Sequence, residues 1–322
     1  MDRRLVIGTS FRAGSRFLAT VIVGVLVLAG CGGSVDDPEA ARCVHPSSEF
    51  GQKVAFFDHD EVSVRFQCNG SELAGTLDLP KQAGNHPAMV YVHGAGEATR
   101  WTWDVPWVQR FVRAGLAFFS YDKRGVGESE GVCCPGDDSH FNLLAADADG
   151  AASALRSRPE IDQGLIGFLG TSQAGWIVPL AVARSNLPIA FTALVDAPAT
   201  TTGEERKWSD LAGEDADDPP ALTTEKRAEF TAQLDPSGFD PLPLIRQMNG
   251  PGLWLYGGQD RSVPSGKSAA TLQRLRRAGK DFTIVTFSDA GHGLLDTPPT
   301  DPRAIDRLVA WLRANVLARQ GA

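Results

Sequence analysis

Ser172 stands in the stretch FLGTSQAGW, residues 168–176, flanked by small residues and preceded by the apolar run Leu165-Ile166-Gly167-Phe168-Leu169. A serine hydroxyl is a weak nucleophile until a base within hydrogen-bonding reach takes its proton and fixed donors receive the charge that forms. Residue types for both tasks occur elsewhere in the chain. LYGGQDRSVP, residues 255–264, puts Asp260 just past an apolar run, and FSDAGHGLL, residues 287–295, puts His292 between glycines past another. YVHGAG, residues 91–96, ends a third run with the glycine-rich turn His93-Gly94-Ala95-Gly96. Each has a bland reading alone: Ser172 can cap a helix, Asp260 can close a turn, and His93 reads as structural.

The elements that must position these residues follow from periodicity. Val62 to Phe66 and Glu72 to Leu79, joined through Cys68-Asn69-Gly70-Ser71, form an expected antiparallel hairpin, because Asn-Gly suits a two-residue turn. AMVYVH (88–93) and LAFFSYD (116–122) are β-rich runs around PWVQRFVRAG, where Trp107, Phe111 and Val112 recur at helical spacing. The alternation continues with a helix over 141–159, a strand over 165–169, a helix after Ser172 and a strand over 190–196. Strand 252–257, helix 266–278, strand 282–287 and a closing helix over about 302–318 complete it. Eight strands with right-handed crossovers predict an α/β fold built on a doubly wound, mostly parallel sheet.

Residues 200–248 interrupt that rhythm. TTGEERKWSDLAGEDADDPP is acidic and reads as a loop, and ALTTEKRAEFTAQL reads as a helix, so the segment is expected as an insertion acting either as a small cap or as a solvated excursion.

A serine on a tight strand-to-helix turn, with an acid and then a histidine at later strand ends, resembles the α/β-hydrolase superfamily. The stretch YDKRGVGES, residues 121–129, strengthens the likeness to its bacterial members, which extends over about residues 60–318. One position departs from G-x-S-x-G: Ala174 stands where the second glycine is usual. The resemblance implies a nucleophile Ser172, a base His292, an acid Asp260, and an oxyanion hole from the backbone amides of Ala95 and Gln173. It implies no cofactor and no metal. Asp196, at an earlier strand end, is the rival acid; Asp289 lies too near His292 in sequence. Asp122, Arg124, Gly125 and Gly127 are expected to pin their loop and do no chemistry. Trp101 and Trp103 are the candidate pocket residues, whereas Trp107 and Trp176 are expected in the core. The implied reaction is hydrolysis of a small or medium carboxylic ester through an acyl-enzyme, with a peptidase, an amidase or an inactive binding lipoprotein as alternatives.

The first thirty residues are of another kind. Arg3, Arg4, Arg12 and Arg16 precede the uncharged run Phe17 to Ala29, too short to span a bilayer comfortably and laid out as a signal peptide. Leu28-Ala29-Gly30-Cys31 resembles the lipobox of bacterial lipoproteins, which implies lipidation of Cys31 and an extracytoplasmic, membrane-anchored protein. Residues 31–59 are then a tether and N-terminal segment, and 60–322 the hydrolase-like domain. Loss of residues 1–30 takes the formal net charge from −8 to −11, a balance unsuited to nucleic acid. Cys43, Cys68, Cys133 and Cys134 would then sit where disulfides persist. Sequence leaves three pairings open, with bridges from the N-terminal segment to the 130s loop favoured over a bond between the adjacent pair.

Overall fold

The computed structural model of the protein describes residues 42–44, 46–100, 106–134, 140–295 and 301–320. One ten-stranded sheet runs through it. In chain order its strands are β1 (Ser47–Phe50), β2 (Val54–Ala55), β3 (His59–Cys68), β4 (Ser71–Pro80), β5 (His86–Val92), β6 (Ala117–Tyr121), β7 (Ile161–Thr171), β8 (Thr192–Val195), β9 (Gly252–Gly257) and β10 (Phe282–Phe287). The spatial order is β1-β3-β4-β6-β5-β7-β8-β9-β10, with β2 on β3. From β6 to β10 in that order all neighbours are parallel, and β1 to β4 extend the sheet antiparallel.

The expected count of eight strands is therefore corrected to ten. The additions, β1 and β2, have four and two residues, too few for a periodic signal. They also bring part of the expected tether, from Ser47 on, into the sheet. The β3–β4 hairpin closes at Asn69 and Gly70, both with positive φ (48° and 79°), as a primed two-residue turn requires.

Successive residues of the parallel strands alternate between two cores, because side chains of a strand point to opposite faces. Val90, Phe168, Leu194 and Trp254 face α2 (Phe141–Arg156) and α3 (Ala174–Arg184). Met89, Leu169, Val195 and Leu255 face α1 (Pro106–Arg113) and α8 (Pro302–Asn315). With helices on both faces the strands bury completely, which explains runs of apolar residues without alternation.

Between β8 and β9 lie α4 (Thr202–Ala212), α5 (Thr224–Thr231) and α6 (Leu242–Ile245), followed after β9 by α7 (Ser265–Arg277). The stretch expected as an acidic loop is thus helical at its start. Its nucleus is a capping box: Thr201 Oγ1 accepts from the Glu204 N–H at 3.2 Å, and the Glu204 carboxylate accepts from the Thr201 N–H at 2.9 Å. Trp208, Ala212, Leu222 and Phe230 give the insertion a small core of its own.

The cysteines pair as Cys43–Cys68 and Cys133–Cys134, with Cα separations of 5.1 and 3.6 Å. The favoured bridge to the 130s loop is overturned. Cys43 enters beside the end of β3, and both its sulfur and that of Cys68 rest on Gly150 of α2, where an added Cβ would come within 2.9 Å of the first and 3.3 Å of the second. That leaves the adjacent cysteines to each other.

Candidate active site

Strand β7 ends at Thr171 and α3 begins at Ala174, so the chain reverses over two residues. Ser172 takes the strained left-handed conformation, φ 50°, which turns its side chain out of the strand path. Its N–H still donates to Val195 O at 3.1 Å, and its carbonyl accepts from Gly175 N–H at 2.9 Å. Small neighbours make the turn possible. A Cβ on Gly175 would lie 2.5 Å from Pro198 O, and one on Gly170 would lie 2.6 Å from the Ala174 methyl. Ala174 is therefore accommodated because Gly170 is bare.

Two loops at the carboxyl edge of the sheet meet this turn. Asp260, past β9, has a fully buried carboxylate whose Oδ1 accepts from the N–H groups of Ser262 and Val263 at 2.9 and 2.8 Å. Its Oδ2 lies 2.9 Å from His292 Nδ1, and His292 Nε2 lies 3.2 Å from Ser172 Oγ. The acceptor-only carboxylate makes Nδ1 the protonated nitrogen and leaves Nε2 to accept from the hydroxyl. The insertion braces the acid turn, since Trp208 Nε1 donates to Asp260 O at 3.1 Å.

Asp196 engages the same loop differently. Its carboxylate accepts from the N–H groups of Gly257, Gly293 and Leu294 at 3.1, 3.0 and 2.8 Å. Burial, reinforced by the neighbouring Asp260 charge, pushes its pKa above the carboxylate range. This main-chain role was missed in sequence, for its partners stand 61 and 97 residues away. Asp289 is on the surface and pairs with Arg303 at 3.1 Å.

The His93-Gly94-Ala95-Gly96 loop lies over the serine. Buried His93 donates from Nε2 to Tyr121 O, and burial pulls its pKa down to about 4, so it is a neutral structural histidine. A Cβ on Gly94 would sit 3.3 Å from Ser172 Cβ. Ala95 is exposed at the site's rim, and Gln173 occupies the N-cap position of α3. Below the loop, Asp122 accepts from Arg100 Nη1 at 2.6 Å and from Glu128 N–H at 2.8 Å, while Arg124 Nε donates to buried Asp147 at 3.0 Å. Trp107 and Trp176 are buried, and Trp176 donates to Thr200 O at 2.9 Å. Trp101, Trp103 and Cys31 lie outside the described residues.

A surface cavity of about 420 Å³ opens beside His292, between its loop and Asp301–Arg303, and does not reach Ser172. Among the described residues one group has metal-ligand geometry, His59, Glu61 and Asp78 on β3 and β4. Both His59 ring nitrogens already face carboxylates, Asp58 at 2.9 Å and Asp78 at 3.4 Å.

The sequence pattern of the alpha/beta hydrolase family matches residues 89–311. The chain belongs to this family. Among solved structures, acetyl xylan esterase 1 from Thermoanaerobacterium superposes on this chain with a TM-score of 0.60 at 19% identity, covering 86% of this chain and 93% of that one. The acylaminoacyl peptidase of Pyrococcus horikoshii superposes at 0.58 with 16% identity, covering 85% of this chain and 42% of the peptidase. Both likenesses are of fold. Thiohydrolase aneE of Aspergillus aculeatus is 32% identical over 108 residues, 33% of this chain. The chain spans between 19% and 32% of the length of the curated relatives it matches. No helix among the described residues is long and apolar enough to cross a membrane.

Proposed function

We propose that this hydrolase is a serine esterase that cleaves small or medium carboxylic esters through an acyl-enzyme. The observation that carries the reading is the continuous contact from Ser172 Oγ through the His292 ring to Asp260, 3.2 and 2.9 Å long. In the first half-reaction His292 Nε2 takes the Ser172 proton as Oγ attacks the ester carbonyl carbon. The Ala95 and Gln173 amides stabilise the resulting oxyanion, and the carbonyl re-forms as the C–O bond to the alcohol breaks, with His292 returning the proton to the departing oxygen. Water then attacks the acyl-serine with the same base, releasing the acid and restoring Ser172. Buried Asp260 holds the Nδ1–H tautomer and stabilises the imidazolium.

The esterase named among the structural relatives supports the choice of ester chemistry. A fluorophosphonate probe should label wild-type protein and leave Ser172→Ala unlabelled, and short-chain nitrophenyl esters should lose at least about 10³-fold in turnover in that variant. Labelling that survives in Ser172→Ala would overturn the nucleophile. Turnover of acylated peptides without turnover of esters would move the substrate class to amides.

We further propose that lipidation at Cys31 tethers the enzyme to an extracytoplasmic membrane face, supported by the Leu28-Ala29-Gly30-Cys31 pattern. Wild-type protein should fractionate with membranes, and Cys31→Ala should not. Unacylated, wholly soluble wild-type protein would overturn this.

A further inference from the structure

The mechanism depends on two main-chain amides, and Lys123 stands behind both of them. Lys123 follows β6, is only 3% exposed, and ends among polar groups of the oxyanion loop and the serine turn. Its Nζ donates to Gly94 O at 2.8 Å, to Gly96 O at 3.0 Å and to Gln173 Oε1 at 3.3 Å. Three ammonium hydrogens thus meet three oxygens. The first of those oxygens shares a peptide plane with the Ala95 N–H. In a trans peptide the carbonyl and the following N–H point in opposite directions. An ammonium that holds Gly94 O on one side therefore turns the Ala95 N–H to the other. The third contact ties down the side chain of the residue that supplies the second amide.

We propose that Lys123 is the positioning residue of the oxyanion hole, its ammonium clamping the Gly94–Ala95 peptide and Gln173 so that both amides aim at the developing oxyanion. This rests on the serine-hydrolase reading. A charged donor on the carbonyl polarises the peptide and strengthens the N–H as a donor in turn. Its field also favours negative charge on the reacting oxygen. The charge appears only beyond the ground state, so the benefit belongs to kcat and leaves KM nearly unchanged.

The surroundings make the clamp sensitive to pH. Lys123 is faced by buried His93 just past β5, by Tyr121 at the end of β6, and by the apolar Leu144 and Ile177 from α2 and α3. His93 is neutral, burial holds the Tyr121 phenol protonated far into the alkaline range, and the adjacent Asp122 and Arg124 are engaged by Arg100 and Asp147. Burial in this setting pulls the Lys123 ammonium down to about 8. A neutral amine has two hydrogens for three acceptors, so deprotonation releases one arm of the clamp.

The test compares wild type with Lys123→Met, Lys123→Gln and Lys123→Arg on a short nitrophenyl ester, together with affinity for an alkyl boronic acid that forms a tetrahedral adduct on serine. Lys123→Met should lose about 10²-fold in kcat with KM changed less than about 3-fold, and boronate affinity should fall in parallel. Lys123→Arg should recover part of that loss. Wild-type kcat should decline above about pH 8, and Lys123→Gln, which keeps a donor but cannot titrate, should show no such limb. The wild-type profile and Lys123→Gln keep the proposal open to refutation if Lys123→Met does not fold. Unchanged kcat and boronate affinity in folded Lys123→Gln would overturn the clamp while leaving the esterase intact. A wild type that neither turns over esters nor binds boronate would overturn both readings at once.

Discussion

The Asp196 carboxylate accepts the Leu294 N–H at 2.8 Å, so one strand-end acid holds the backbone of the histidine loop while another, Asp260, holds its ring. Two aspartates that look interchangeable in sequence are separated by what they touch. Asp196 fixes where His292 stands, and Asp260 fixes which of its nitrogens carries the proton.

Substitution by asparagine should therefore split stability from turnover. In Asp260→Asn the amides of Ser262 and Val263 demand an acceptor, so the side-chain oxygen stays with them and the new NH₂ group faces His292 Nδ1. That forces the proton to Nε2 and should cut kcat by about 10⁴-fold with little change in melting temperature. Asp196→Asn keeps a single oxygen for N–H groups that approach from two sides. It should cost about 1–3 kcal/mol in stability and lower kcat far less than Asp260→Asn does. Denaturant titration and steady-state kinetics on both variants decide the matter. The reverse ranking in kcat would make Asp196 the catalytic acid.

Ser172 carries a backbone conformation that its side chain disfavours, φ 50°. Ser172→Gly should remove that strain and raise stability by about 1 kcal/mol while abolishing ester turnover. A midpoint in guanidinium lower than wild type would show that the hydroxyl contributes more to the fold than the turn costs.

These residues were legible for a physical reason. Ser172, Asp260 and His292 each follow an apolar run long enough to declare a buried strand, and glycine flanks His292 on both sides, so position at the sheet's edge could be read locally. The parallel core was legible on the same basis. Helix α4 was obscured by its acidic composition, although Thr201 and Glu204 have the spacing of a capping box. The contacts of Lys123 could not be read at all, since its three acceptors lie 29, 27 and 50 residues away and two of them are main-chain atoms without a side-chain signature. Disulfide pairing failed similarly, because nothing local announces that Cys43 arrives beside Cys68. Strands β1 and β2 fell below the length at which alternation carries information.

Glu205 stands in the first turn of α4. Burial, and next the nearby Glu214 charge, push its carboxyl up to about 7 from a model-peptide value of 4.5. Between those values the folded chain keeps a proton that the unfolded chain has released, so stability falls as pH rises through the window. Below about pH 4.5 the penalty is absent, and above about pH 7 it is complete. Glu205→Gln should thus melt at the wild-type temperature near pH 4.5 and at a higher one near pH 8. Its charge is also felt by His292 and opposed by that of Asp260. An anion there favours imidazolium, so its removal should move the acid limb of kcat/KM to lower pH. Thermal melts at the two pH values read the first effect and a pH–rate profile the second. Equal melting temperatures at pH 8 would mean that water reaches the Glu205 carboxylate freely, and an unmoved acid limb would mean that Glu205 is already neutral where His292 titrates.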